Sequence, residues 1–74
     1  MTTVIDLTQR HQVKLVNEYW DEVEPINQYV TAEIIYHWVG LKYNCFVTHY
    51  GALHKTATFF EDKALTFFIL KHGP

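Results

Sequence analysis

Five histidines, one cysteine and a run of carboxylates are the residues of this chain with chemistry to offer, and spacing decides how much. Cys45, His49 and His54 invite a metal reading. Positions 45 and 49 share a face of an extended strand, and a tight turn centred on Gly51 and Ala52 lays His49 opposite His54. Zinc needs a fourth ligand or a water as well, and the paired C-x-x-C spacing of a dedicated zinc site is absent. Neighbouring strand histidines more often hydrogen-bond solvent or each other, so the expectation is no metal and no cofactor. A His49–His54 pair would repel when charged and give mild pH sensitivity near neutrality.

For catalysis, His37, His49 or His54 can serve as a base beside Tyr36, Tyr43 or Tyr50, or beside Cys45 as nucleophile. No spacing ties them into a triad. Gly40, Gly51 and Gly73 are too far apart for a phosphate loop or a dinucleotide fingerprint. Cys45, between Tyr43 and Val47, reads as a small buried hydrophobe. The chain is therefore expected not to be an enzyme.

The carboxylates are the most unusual feature. In Asn17-Glu-Tyr-Trp-Asp-Glu-Val-Glu-Pro25, four acids gather at the C-terminal end of a predicted helix. The helix dipole is negative there, and each acid costs ~0.3 to 1 kcal/mol at low salt. A solvated acidic face is the plain explanation. The sharper one is a docking patch of Glu18, Tyr19, Trp20, Asp21, Glu22 and Glu24 on the basic surface of a larger protein, with charge steering the encounter and rings supplying burial. Trp20 also falls on the apolar stripe of the helix, which favours the core.

A nucleic-acid face is the alternative. It would stack bases on exposed Phe, Tyr and His of a sheet, with Lys42, Lys55, Lys63 and Lys71 following phosphates. Four lysines with no arginine in residues 38–74 make a thin patch, and the net charge of -2 predicts no general affinity for phosphate.

Elements must position these residues. Asp6 and Gln9 have capping-box spacing, and Val13, Val16, Tyr19, Trp20 and Val23 then share one side of a helix over about residues 7–23, stopped by Pro25. Residues 28–39 fit two patterns. As a strand, Val30, Ala32, Ile34, Tyr36 and Trp38 alternate with polar residues; as a helix, Ile26, Val30, Ile34 and Trp38 stack while Ile35 and Tyr36 are stranded. The strand is preferred. Residues 42–50 alternate Tyr43, Cys45 and Val47 against Asn44 and Thr48, and 53–60 follow as a strand. Thr58-Phe59-Phe60 and Thr66-Phe67-Phe68 flank Glu61-Asp62-Lys63 like the arms of a hairpin, so 65–71 is read as a strand, with a helix ending at Gly73 as the alternative. Residues 1–5 are a flexible lead or a brief edge strand.

The expected architecture is a single compact α+β domain over residues 1–74, one N-terminal helix packed on an antiparallel meander of three or four strands. Seventy-four residues, 49% hydrophobic and 19% charged, exclude disorder and leave little margin of stability. Cys45 has no partner for an internal disulfide, the N-terminus lacks a signal-peptide pattern and no run approaches the ~20 apolar residues of a membrane span, so the cytoplasm is the expected location. Paired phenylalanines place apolar groups on both faces of the sheet, which leaves surface for a homodimer or a partner. The functional expectation is a small regulatory binding module that docks on a larger machine and modulates or inhibits it. Phages and other mobile elements use chains of this size in that way, which is a base rate and not a property of these residues.

Overall fold

The computed structural model describes residues 2–23, 29–51 and 53–74. Along the chain lie β1 (Thr3–Leu7), α1 (Gln9–Val23), α2 (Ala32–Tyr43), β2 (Cys45–Tyr50), β3 (His54–Phe59) and α3 (Asp62–His72). The three strands form one antiparallel sheet in the order β1-β3-β2. The α+β class and the three-stranded antiparallel sheet agree with the sequence pattern, and two further helices flank the sheet besides the N-terminal one.

Helix α1 starts two residues later than the Asp6 capping box implies. Thr8 is the cap: its Oγ1 accepts from the His11 N–H at 3.2 Å, and its own N–H donates to His11 Nδ1 at 3.1 Å. Asp6 belongs to β1 instead. The buried stripe of α1 is His11, Leu15 and Tyr19, at i, i+4 and i+8. Val13, Trp20 and Val23, read from the sequence as core-facing, are exposed. The stripe is rotated because a histidine can enter the core when both nitrogens are satisfied. With Nδ1 accepting from Thr8, Nε2 carries the proton and donates to the Gly73 carbonyl at 3.0 Å.

The preferred strand over 28–39 is a helix from Ala32 onward, and residues 29–31 before it have no regular structure. Thr31 caps it through Oγ1, accepting from the Ile34 N–H, and Asn44 ends it in the left-handed region with φ 52°. Ile35, Tyr36, Val39 and Tyr43 are its buried residues, so the pair that the helical wheel stranded is the pair that packs. The predicted strand over 65–71 is likewise part of a helix. Asp62 sits at its positive end, Lys71 and His72 at its negative end, and the Gly73 N–H donates to the Ile69 carbonyl at 2.8 Å with φ +83° at the glycine. These end signals and the burial of Phe68 outweigh the β preference of Thr66-Phe67-Phe68-Ile69. The two Thr-Phe-Phe copies thus belong to different kinds of element, the first to β3 and its exit, the second to α3.

Register fixes the faces of the sheet. Cys45, Phe59 and Thr3 align, then Val47, Ala57 and Ile5, then His49, Lys55 and Leu7. These odd positions face the helices: Ile5, Leu7, Cys45, Val47, Ala57 and Phe59 pack with Leu15, Tyr36, Val39, Tyr43 and Phe68. The even positions lie on the other face.

Candidate functional site: a closed polar cluster, an open sheet face and an edge groove

The acidic helix end does not stay together as one surface. Glu18 turns inward, with only 12% of its side chain exposed, and its carboxylate gathers four donors. The Tyr43 hydroxyl and Lys42 Nζ, at 2.9 Å, meet Oε1; His72 Nε2, at 3.3 Å, and Lys71 Nζ, at 3.6 Å, meet Oε2. His72 Nε2 also lies 2.7 Å from the Tyr43 oxygen. The contacts are mutually satisfied when Tyr43 donates to Glu18 and His72 Nε2 carries the proton; Nδ1 is then a buried lone pair without a partner among the described residues. Tyr19 is buried, edge-on to both Trp20 and Trp38. Glu22 is paired with Lys42. Trp20 and Asp21 face outward. Glu24 lies outside the described residues.

Charge states follow from these surroundings. Burial works against the Glu18 carboxylate, but the Tyr43 and Lys42 hydrogen bonds and the Lys42 and Lys71 charges outweigh it and hold its pKa below the ordinary range. Burial drives the His72 pKa down, with Glu18 opposing. Burial and the hydrogen bond to Glu18 drive Tyr43 far up. Tyr43 and His72 are buried, and no member of the cluster lines the larger cavity described below. Its role is to join three helices, since Glu18 is on α1, Tyr43 and Lys42 on α2, and His72 and Lys71 on α3.

The four lysines are not assembled either. Lys42 and Lys71 are held by Glu18, Lys55 is buried over the Tyr36 ring at 5.4 Å, and Lys63 is exposed in the first turn of α3. None projects onto the open face of the sheet. The β2–β3 register pairs Tyr50 with His54 and His49 with Lys55, so His49 and His54 lie on opposite faces instead of facing each other. His54 Nε2 meets Asp6 Oδ1 at 3.1 Å, and His49 packs edge-on against Tyr36. Among the described residues no group of three or more His, Cys, Asp or Glu is placed to hold a metal ion.

What the fold leaves open is the even-numbered face. Val4 (58% exposed), Phe46 (64%) and Tyr50 (60%) stand on it beside Thr48, Thr58 and His54, with Asp6 its only carboxylate among the described residues. Thr56 is buried in the middle strand between its cross-strand neighbours Asp6 and Thr48. The sequence pattern implied a leftover sheet surface but placed it at the paired phenylalanines, although a signal for these residues was present: Phe46 and Tyr50 break the alternation of β2 by sitting in phase with Asn44 and Thr48.

A groove of about 480 Å³ runs beside it, lined by Tyr36, His37 and Leu41 of α2 and by Cys45, Phe46 and His49 of β2, among others. Residues of both parities line it, so it opens along the outer edge of β2, away from β3. Gly40 lets helix and strand close at one end, since a Cβ there would come within 2.8 Å of the Cys45 carbonyl oxygen. Burial pushes the Cys45 thiol up to about 11, which leaves it protonated and a poor nucleophile at neutral pH.

No helix among the described residues is long and apolar enough to cross a membrane. Comparison of the chain with protein-family models, with curated proteins and with solved structures returned no match.

Proposed function

We propose that this chain is a small non-enzymatic binding module that docks on a larger protein and modulates it, and that its main contact is the open face of the sheet. The observation that carries this reading is the one-sided packing: all three helices share one face, while Val4, Phe46 and Tyr50 stand exposed on the other. A charge-poor surface with aromatic anchors suits a protein partner better than a phosphate backbone. The cluster around Glu18 supports the non-enzymatic part, because its most reactive groups are spent on joining helices. Trp20 and Asp21, on the helical side, form a second and smaller contact for a basic surface.

Capture on the immobilised chain tests this, with Val4→Glu marking the open face and Asp21→Lys the acidic end. The expected result is a captured protein that Val4→Glu loses and Asp21→Lys retains at reduced yield. Loss only with Asp21→Lys would move the contact to the helix end. Oligonucleotide binding that weakens steeply with salt, without any captured protein, would overturn the reading in favour of nucleic acid.

A further inference from the structure

We infer that the outer edge of β2 pairs with β2 of a second copy, antiparallel about a two-fold axis through Thr48, and that this makes one six-stranded sheet. The inference stands independently of the partner reading. Strand β2 is an edge strand, and half of its backbone N–H and C=O groups point away from β3. Protein edges are ordinarily guarded by Lys, Pro, a bulge or an inward charge. Cys45-Phe-Val-Thr-His-Tyr50 contains no Lys, Pro, Asp or Glu, and its pairing with β3 runs without a bulge from Cys45 to Tyr50. The other edge, β1, carries Asp6.

The sequence of β2 suits itself as a partner. Directly opposed residues of an antiparallel pair point to the same face, so a two-fold axis normal to the sheet must pass through a residue and not between two. With the axis at Thr48, Phe46 of each copy meets Tyr50 of the other on the open face, and Thr48 meets its own copy. On the helical face Val47 meets His49. Phe46, which opposes Thr58 within the chain, therefore gains an aromatic cross-strand partner, and Tyr50, whose ring already lies 5.4 Å from that of His54 on β3, gains a second one on its open side. An axis at Val47 would oppose Phe46 to Thr48 and leave the rings unpaired. The strand carries no carboxylate or lysine to repel its copy, and the groove between α2 and β2 gives the incoming strand room.

Sedimentation equilibrium of the full chain reads the association, with a Kd on the order of micromolar expected for so small an interface. Thr48→Lys and Thr48→Glu each place like charges across the axis. Each variant alone is expected to be monomeric, and an equimolar mixture is expected to restore the dimer. A wild type that stays monomeric at about a hundredfold that Kd overturns the inference, as does a dimer that survives both substitutions or fails to return on mixing folded variants. A second measurement does not depend on tolerating charge. Opposed Cα atoms lie about 4.5–5.5 Å apart, within disulfide range, so Thr48→Cys in a Cys45→Ala background should oxidise to a covalent dimer while Thr58→Cys on the central strand should not. Equal cross-linking of the two, or none with Thr48→Cys while its thiol titrates freely, sinks the proposal.

Discussion

At the scale of residues, two histidines in this chain serve as structural parts. His11 has both nitrogens engaged, by Thr8 and by the Gly73 carbonyl, and so ties the start of α1 to the end of α3. Substitution by Phe keeps the ring but orphans the Thr8 N–H and the Gly73 carbonyl, and a loss of about 1–3 kcal/mol in urea unfolding is expected. His72 governs the response to acid. Its folded pKa lies below its ordinary 6.5, so the unfolded chain binds the extra proton first and stability falls as pH drops from about 6.5 through the folded value. Glu18, held below its ordinary 4.5, adds a second decline as pH falls below about that value. Unfolding midpoints measured from pH 8 to 3 should therefore fall in two stages, and His72→Phe should remove the first while keeping the second. Tyr43→Phe withdraws the hydroxyl shared by Glu18 and His72, with an expected loss of about 1–3 kcal/mol at neutral pH and an unchanged m value. None of this was legible beforehand: residues 18, 43 and 72 belong to three different helices, and nothing in their separation along the chain announces that they meet.

At the scale of elements, the outcome turned on end signals against side-chain propensity. Residues 66–69 favour β by type, yet Asp62, Lys71 and Gly73 bracket a helix, and Phe68 becomes fully buried against Phe59 and Tyr43. Between Thr31 and Asn44 the same conflict arises: Thr31 and Asn44 cap the helix, and Gly40, which the sequence offered as its end, lies inside it. The β2–β3 hairpin was legible because both strands alternate and Gly51 adopts φ +88° between them. Gly40 offers a test of packing against propensity. Alanine gains roughly 1 kcal/mol in a helix over glycine, but the overlap at 2.8 Å with the Cys45 carbonyl involves backbone on both sides and costs about 1–3 kcal/mol. Gly40→Ala is expected to be net destabilising by thermal melting, with the β2 amide resonances displaced in NMR spectra.

At the scale of the whole molecule, a sheet covered on one face only leaves a small domain with apolar surface and a thin margin. If two copies share β2, stability becomes a function of concentration. The melting temperature of the wild type should rise as the protein is concentrated, and that of Thr48→Lys should not. Composition and alternation by themselves determined that the chain folds, that it mixes helix with antiparallel strand, that its first helix occupies about residues 7–23, two residues early at its start, and that more apolar surface exists than one helix can hide. These are local or additive properties, readable from residue type and period. Which face of α1 enters the core, which acids and lysines cancel one another and which strand is left at an edge were decided by tertiary structure. Each is a relation between residues distant in sequence, and a one-residue change of phase turns an exposed side chain into a buried one. The acidic end looked like a surface while its partners, Lys42, Lys71 and His72, were unplaced. Once they close on Glu18, the surface that remains is the one whose phase in β2 ran against the pattern: Phe46 and Tyr50, exposed beside Thr48.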